Sequence, residues 1–381
     1  MMRIVVFLWL FCSLAVAQAQ STVTDSIQSG GLTRYYTIYT PASYDGSEPV
    51  PVVLNLHGYG SAAFQQLFYG EFRPIADTAN FLLVLPDGTN DLIGLSHWNT
   101  FTPPGTGVDD VAFISDLLDT LIASFNIDEN RIYSTGMSNG GFMSYELACQ
   151  LSGRIAAIAS VTGSIDIDRF GACNPSHPMP IMEIHGTNDL TVPYMGGGTF
   201  GFVPIPDVID YWVGFNNTNP EPEVIDIPDT DPGDGSTVEH YIYSGGDNGV
   251  SVEHFKVIDG GHTWPGTIFL IPSSGSTNKD INASNEIWRF FSQYRLDVLT
   301  DIESNEANEL TPKLFPNPGN GYVMLELPKS LQGALLTVTD LNGRIVHEDF
   351  AFDGILDLSS LPRGIYAIAV GQSDGVMYVH Q

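Results

Sequence analysis

Residues 136–140 form a Gly-Met-Ser-Asn-Gly pattern, and a further glycine follows at position 141. Apolar residues predict a strand over residues 131–135 before the pattern and a helix over residues 139–151 after it. A G-x-S-x-G pattern between a strand and a helix is typical of a nucleophile elbow, a strained turn that exposes a serine oxygen and has no room for side chains on either side. We therefore predict that Ser138 is a nucleophile for acyl transfer. The alternative is an ordinary strand-to-helix turn.

His262 is the predicted base that activates this serine, because a hydroxyl attacks poorly until its proton is removed. It lies in a glycine- and proline-rich segment, residues 260–266, directly after a predicted strand over residues 254–258. Catalytic residues of open α/β sheets collect at the carboxyl ends of strands. His262 also comes late in the chain, as the order serine, acid, histidine requires.

Asp189 is the predicted acid of the same group. A predicted strand over residues 180–185 runs into Gly-Thr-Asn-Asp at residues 186–189. A carboxylate at this point would hold the histidine in the correct tautomer and stabilise its protonated form. Asp207 and Asp210 are the alternative acids.

Two backbone amides are predicted to stabilise the oxyanion that forms on attack, because such donors must be in place beforehand. One is the amide of Asn139, directly after the nucleophile. The other should come from the loop after an early strand, and the loop after residues 50–56 fits. We assign the amide of Tyr59, with Gly58 as the alternative, and interpret His57 as a residue that fixes this loop and not as a second base.

The elements that must position these residues alternate between strand and helix from about residue 21 to residue 299. Buried strands are predicted over residues 50–56 and 81–85, and a helix over about residues 109–124. This alternation implies a mostly parallel sheet covered by helices on both faces, the α/β fold class. Residues 216–234 are rich in Asn, Pro and Asp and are predicted to be irregular. Acidic residues in and after that stretch match a calcium loop only loosely, so no metal is predicted.

A small all-β domain is predicted at the C-terminal end. Short alternating strands follow residue 314, and two of them flank an Asn-Gly pair at residues 342–343, a strong hairpin signal. The predicted order is a signal peptide (1–19), an α/β catalytic domain (22–299), a polar linker (300–311) and a β-sandwich domain (312–381).

The N-terminus predicts export. Arg3 precedes an apolar stretch over residues 4–16, and small residues offer cleavage sites after Ala17 or Ala19. Two cysteines then remain, Cys149 and Cys173. An even pair in an exported chain indicates one disulfide, with two buried thiols as the alternative.

The charge balance narrows the possible partners. The formal net charge is −30, with only 14 Lys and Arg residues. Such a surface repels phosphate backbones and anionic lipids, so binding to nucleic acid or to a membrane surface is not expected. No segment after the N-terminal one is apolar over the length that a membrane span needs.

Six collinear segments resemble the esterase family that includes feruloyl esterases and polyhydroxybutyrate depolymerases, within the α/β-hydrolases. They are residues 56–58, 98–99 with 108–111, 136–141, 185–189, 260–266 and 280–291. The resemblance implies an α/β-hydrolase fold, the triad Ser138, Asp189 and His262, and a bridge between Cys149 and Cys173. Family members often carry cysteines near the segment of Trp98. This chain has none there, so other contacts must hold that loop.

The last 70 residues or so resemble the C-terminal sorting domain of the type IX secretion system. The matching pieces are Phe-Pro-Asn-Pro at 315–318, Thr-Asp-Leu-Asn-Gly-Arg at 339–344, Leu-Ser-Ser-Leu-Pro at 358–362 and Gly-Ile-Tyr at 364–366. This resemblance implies the secretion machinery as a partner and a secreted or cell-surface location. A carbohydrate-binding module is the alternative.

Together these residues predict a secreted serine carboxylic ester hydrolase that works through an acyl-enzyme and needs no metal or organic cofactor. The expected substrate, which could be polymeric, is a feruloyl or acetyl ester of a polysaccharide or a polyhydroxyalkanoate-type polyester. Trp98 and Trp264 could line its site or only pack in the interior, and the sequence favours neither. The alternatives are a prolyl-oligopeptidase-like peptidase with the same triad and a catalytically inactive binding protein on the same scaffold.

Overall fold

The computed structural model describes residues 19–100, 106–197, 201–269 and 274–300, and in the C-terminal part residues 313–315, 322–326, 335–340, 343–350, 354–370 and 377–380. The chain divides into two compact units, Met1–Thr300 and Asp301–Gln381. Residues 1–18 of the predicted signal peptide and residues 301–311 of the predicted linker lie outside the described residues.

The first unit alternates between strands and helices. Its strands are β1 (Ser21–Ser29), β2 (Leu32–Thr40), β3 (Val50–Leu56), β4 (Leu82–Pro86), β5 (Thr89–Asn90), β6 (Ser96–His97), β7 (Ile127–Met137), β8 (Ala157–Val161), β9 (Ile181–Gly186), β10 (Glu223–Ile227), β11 (Thr237–Tyr243) and β12 (Val252–Ile258). Its α-helices are α1 (Ala63–Tyr69), α2 (Arg73–Ala79), α3 (Asp110–Ser124), α4 (Asn139–Gln150), α5 (Ile167–Phe170), α6 (Ile205–Phe215), α7 (Ala283–Phe291) and α8 (Leu296–Leu299).

Ten of these strands form one sheet in the order β1-β2-β4-β3-β7-β8-β9-β12-β11-β10. The six central strands of this sheet, β4, β3, β7, β8, β9 and β12, run parallel to one another. Antiparallel strands complete both edges. This topology confirms the predicted α/β class with a mostly parallel sheet.

Helices cover both faces of the sheet and form two separate apolar cores. Along β3, Leu54 and Leu56 belong to the core under α3, α4 and α6. Val53 belongs to the core under α1, α2 and α7. Successive side chains of a strand point to opposite faces, so a strand buried on both sides is apolar throughout. This is why β3 could be predicted from a continuous apolar run.

The edges of the sheet differ from the prediction. The sequence predicts a short strand over residues 35–39, whereas β2 spans Leu32–Thr40 and pairs with all of β1. Strand β10 lies inside the stretch predicted to be irregular. Both β1 and β10 are largely exposed, and an exposed edge strand needs no apolar pattern. Helix α6 was also not predicted.

The second unit contains β13 (Lys313–Phe315), β14 (Tyr322–Glu326), β15 (Leu335–Asp340), β16 (Ile345–Phe350), β17 (Gly354–Asp357), β18 (Ile365–Val370) and β19 (Met377–His380). Three strands form one antiparallel sheet, β13-β14-β17, and four form another, β16-β15-β18-β19. Val323 and Leu356 from the first sheet share one buried core with Val338 and Ile368 from the second. The unit is therefore a small β-sandwich with a core of its own. In the described parts of the chain, no helix has the length and apolar character to cross a membrane.

Candidate active site

Ser138 lies on the turn between β7 and α4, with φ 54° and ψ −119°. A non-glycine residue with such a backbone costs on the order of 1–3 kcal/mol and persists only where its surroundings hold it. Here the Ser138 N–H donates to the Val161 carbonyl at 2.8 Å, and the Phe142 N–H donates to the Ser138 carbonyl at 3.0 Å. A Cβ at Gly140 would lie 2.1 Å from the carbonyl oxygen of Leu56. Only glycine therefore lets α4 start this close to β3.

His262 and Asp189 are hydrogen-bonded to each other. The Nδ1 of His262 lies 2.7 Å from Oδ2 of Asp189. The other carboxylate oxygen, Oδ1, accepts the amides of Thr191 and Val192 at 2.8 Å each. An ionised carboxylate only accepts, so Nδ1 carries the proton and Nε2 remains an acceptor. The structure thus brings together the predicted acid and base.

The loops that carry the acid and the histidine are joined through their backbones. The amides of Thr187 and Asn188 donate to the carbonyls of Val257 and Gly260 at 2.8 and 2.9 Å. A Cβ at Gly186 would lie 2.2 Å from the carbonyl oxygen of Gly260. The two loops can approach this closely only because residue 186 has no side chain.

The alternative acids lie elsewhere. Asp207 and Asp210 both lie on α6, where their side chains are exposed. Neither is hydrogen-bonded to His262. In the described part of the chain, the carboxylate that bonds to His262 is that of Asp189.

Ser138 and His262 line the same cavity, which has a volume of about 690 Å³. This volume is within the usual range of small-molecule sites. Much of its wall is aromatic, with Phe64 and Phe68 from α1 and Phe269 from the loop after His262. The ring centroid of Phe68 lies 5.1 Å from that of Phe64 and 6.0 Å from that of Phe269. These three residues were not predicted from the sequence, because nothing in their local pattern separates them from core residues.

The two predicted oxyanion donors lie beside the serine. Tyr59 lines the cavity, and the neighbouring Gly58 is so close that a Cβ there would lie 3.5 Å from Cβ of Ser138. Asn139 is the first residue of α4, where backbone N–H groups have no partner within the helix. Within the described residues, neither the Tyr59 nor the Asn139 amide donates a hydrogen bond.

His57 holds the loop that carries Tyr59. Its Nε2 accepts the Gly88 amide at 2.9 Å, and its Nδ1 donates to the Gly58 carbonyl at 2.8 Å. Burial lowers the pKa of His57, which keeps the ring neutral. A neutral ring bonded on both nitrogens is a loop-fixing group, not a base.

The side chain of Asn139 fixes the neighbouring loop. Its Oδ1 accepts the Trp98 amide at 2.6 Å, and its Nδ2 donates to the Trp98 carbonyl at 3.1 Å and to Oγ1 of Thr100 at 2.9 Å. From the sequence, only the backbone amide of Asn139 was predicted to have a role. A side chain at this position contributes contacts that only the folded chain reveals.

A buried ion pair holds the same loop from its other side. Arg34 and Asp110 lie 2.7 Å apart, with both side chains almost fully buried. Asp110 also accepts the Asn99 amide at 2.8 Å, and the Asn99 side chain donates to the Val108 carbonyl at 2.8 Å. These contacts hold the Trp98 segment without a disulfide.

The sequence left substrate contact and interior packing equally open for Trp98 and Trp264, and the structure buries both side chains. Trp98 is 0% exposed, and its Nε1 donates to the His57 carbonyl at 2.9 Å. Trp264 is 1% exposed, and its Nε1 donates to Oγ of Ser284 at 3.2 Å. Neither ring lines the cavity of Ser138. Packing therefore describes Trp98, whereas Trp264 also lines a smaller cavity that shares Phe68 and Phe269 with the cavity of Ser138.

The predicted disulfide is present. Cys149 near the end of α4 is bonded to Cys173, which lies 24 residues further along the chain. The bridge ties the helix after the nucleophile to the segment that leads into β9.

The acidic residues in and near the segment that was compared with a calcium loop make hydrogen bonds within the protein. Asp231 pairs with the Lys279 ammonium at 2.8 Å, and Asp280 accepts the amide of Thr230 at 2.7 Å. Among the residues that the structure describes, no group of three His, Cys, Asp or Glu side chains is placed to hold a metal ion.

Comparisons with known protein families find matches in both units. Residues 108–201 match the family model described as phospholipase/carboxylesterase. Residues 313–380 match the secretion system C-terminal sorting domain, which indicates export by the type IX secretion system. The first match includes Ser138 and Asp189 and ends before His262.

Similar curated proteins include esterases. The chain is 28% identical over 300 residues to a bifunctional acetylxylan esterase/xylanase of Neocallimastix patriciarum, which covers 79% of this chain and 39% of that protein. The chain thus corresponds to about two-fifths of that relative's length. It is 26% identical over 285 residues to feruloyl esterase D of Neurospora crassa, covering 72% of this chain and 86% of that one.

The fold also matches a solved structure. An acetyl xylan esterase from Aspergillus awamori superposes with a TM-score of 0.50 at 12% identity, covering 71% of this chain and 99% of that chain. At this identity the likeness concerns the fold alone.

Proposed function

We propose that this chain is an exported serine ester hydrolase for feruloyl or acetyl esters of polysaccharides. Its first unit is an α/β-hydrolase homologous to feruloyl and acetylxylan esterases. Its second unit matches a secretion sorting domain. One observation carries the proposal. Ser138 on its strained turn and His262, which is bonded to Asp189, line the same cavity.

The proposed reaction begins with attack by Ser138. Because Nδ1 of His262 donates to Asp189, Nε2 is the atom that takes the serine proton. The serine oxygen bonds to the ester carbonyl carbon, and the carbonyl electron pair moves to its oxygen. The amides of Tyr59 and Asn139 then stabilise the oxyanion; one such donor contributes about 10²–10³ in rate.

Collapse of this intermediate expels the alcohol, which takes the proton held by His262. The acyl group remains on Ser138 as an ester. Water then attacks the acyl-enzyme with His262 as the base, and the same steps release the acid and restore the serine. Every proton transfer uses a side chain already in the site.

The aromatic wall of the cavity supports a feruloyl group as the acyl part. Phe64, Phe68 and Phe269 present ring edges and faces to one space, and an aromatic ring gains from packing against such rings. An acetyl group would leave most of a cavity of about 690 Å³ unfilled. Feruloyl esters are therefore the first substrates to test, followed by acetylated xylan.

The decisive test is Ser138→Ala with p-nitrophenyl acetate and methyl ferulate. We expect a loss of at least ~10³ in kcat, because the nucleophile is absent. Ser292→Ala, an exposed serine at the end of α7, is the control and should keep wild-type activity. Hydrolysis that persists in Ser138→Ala means that the assigned mechanism is wrong.

A substrate panel separates the remaining alternatives. We expect methyl ferulate to exceed acetylated xylan and poly(3-hydroxybutyrate) in kcat/KM. A matched feruloyl amide that turns over as fast as the ester would favour a peptidase. A protein that binds these compounds without turning any of them over would be a binding protein on a hydrolase scaffold.

Export also depends on the N-terminus, and we propose that residues 1–19 are a signal peptide. The small residues at positions 17 and 19 are the cleavage sites that support this. N-terminal sequencing of the exported protein should find a start at Gln18 or Gln20. A start at Met1 would contradict cleavage.

A further inference from the structure

A second acid–histidine pair lies buried directly behind the proposed triad. Glu183 and His185 both belong to β9, and both side chains are 0% exposed. Oε1 of Glu183 lies 2.8 Å from Nδ1 of His185. The other ring nitrogen, Nε2, lies 2.9 Å from the Val192 carbonyl oxygen and 3.5 Å from Oδ2 of Asp189. The second pair therefore touches the acid of the triad.

The protonation of this pair follows from its partners. A carbonyl oxygen only accepts, so Nε2 of His185 must carry a proton. Nδ1 faces a carboxyl oxygen, and that contact is attractive only if one more proton lies between the two atoms. Burial alone would lower the pKa of His185, but the bond to Glu183 outweighs it and the net shift is upward. Burial also raises the pKa of Glu183.

The titratable side chains that surround the Glu183–His185 pair keep one charge state near neutral pH. The Tyr145 hydroxyl on α4 donates to Oε2 of Glu183 at 2.8 Å. Nδ1 of His254 on β12 donates to the Glu183 carbonyl at 3.0 Å, and its Nε2 accepts the Tyr194 hydroxyl, also at 3.0 Å. Burial raises the pKa values of both tyrosines and lowers that of His254 to about 3.

We propose that Glu183 and His185 are positioning residues that share one buried proton and hold Asp189 ionised and oriented toward His262. Asp189 has a fully buried side chain, and a buried carboxylate tends to take up a proton. The N–H of His185 donates to the Val192 carbonyl and lies 3.5 Å from Oδ2 of Asp189, the oxygen that holds His262, so the positive charge shared by the ring opposes that tendency. This inference rests on the proposed function, because it assigns Asp189 to the triad.

Glu183→Gln tests the inference with the least disturbance. The amide keeps the shape of the side chain and can still bond to Tyr145 and His185, but it cannot share the proton. We expect the acid limb of the kcat/KM–pH profile to move upward by about 0.5 pH unit or more, with the alkaline plateau lowered less than about threefold. KM should stay at its wild-type value, because neither residue lines the cavity. His185→Gln should give the larger shift.

His177→Gln is the matched control. His177 is also buried and bonded on both ring nitrogens, to the carbonyls of Pro178 and Ser152 at 2.7 and 2.8 Å, and it does not contact the triad. Its profile should overlay that of the wild type. If the Glu183→Gln and His185→Gln profiles also overlay it, the inference is overturned. Ser138→Ala tests the proposed function independently.

If Glu183→Gln does not fold, ¹⁵N NMR of the histidine rings in the wild-type protein answers the same question. A proton on Nδ1 of His185, or shared by it, from pH 5 to 9 supports the inference. A bare Nδ1 in that range overturns it.

Discussion

Asp189 shows how much of this site depends on single atoms. Its two carboxylate oxygens have different partners, since Oδ1 anchors the loop through two amides and Oδ2 receives His262. The residue types and their order along the chain were enough to choose Asp189, because a base needs an acid behind it. The separate roles of the two oxygens are a property of the fold.

Asp189→Asn should leave the fold intact and lower kcat by about 10³–10⁴. An amide nitrogen facing Nδ1 can only donate, so it favours the tautomer with the proton on Nε2, which cannot take the serine proton. Steady-state kinetics on p-nitrophenyl acetate measures the loss. Asp207→Asn, at an exposed position of α6, is the control. An equal loss in that control would remove the assignment of Asp189 as the acid.

The tryptophans show where reasoning from single residues could not decide between two roles. Trp98 and Trp264 lie in segments next to the proposed catalytic residues. Local sequence cannot tell a ring that faces a cavity from one that packs behind it. The decision depends on partners distant in sequence, His57 for Trp98 and Ser284 for Trp264. The aromatic wall of the cavity was missed for the same reason.

At the scale of elements, the turn after β7 and the loop around Trp98 form one assembly. The Asn139 side chain connects them through three hydrogen bonds, and the Arg34–Asp110 pair holds the loop from behind. The buried parallel strands and helices α3 and α4 were predictable, since apolar runs and helical spacing identify them. The polar edge strands β1 and β10 were not, since exposure removes the pattern.

Asn139→Ala should disturb both elements together. It leaves the Trp98 amide buried without its acceptor, which costs about 1–3 kcal/mol of unfolding free energy. We also expect kcat to fall by roughly tenfold or more, because the amides proposed to stabilise the oxyanion lose their support. Chemical unfolding and steady-state kinetics measure the two effects. Asn285→Ala, at an exposed position of α7, should lower neither.

At the scale of the molecule, we propose that catalysis and export belong to separate units. The cavity of Ser138 is lined by residues of the first unit, and the second unit has a buried core of its own. Deleting residues 314–381 should therefore leave kcat/KM within about twofold of wild type and abolish export in the native host, because the sorting match covers residues 313–380. Activity assays on the purified protein and immunoblots of cells and medium measure both. Loss of activity in the purified truncated protein would favour a binding or stabilising role for this unit.

The glycine contacts around the triad have a consequence for enzyme engineering. At residues 140 and 186 a single added carbon would meet backbone atoms of another element, so a library that varies these positions would yield mostly unfolded clones. In the cavity wall, by contrast, Phe64 is 68% and Phe269 47% exposed, so other side chains have room at these positions. Selection for a new acyl preference should therefore enrich substitutions in that wall and leave the glycines invariant. The frequencies of surviving variants would show, for each position, whether the residue is needed for folding or sets the acyl specificity.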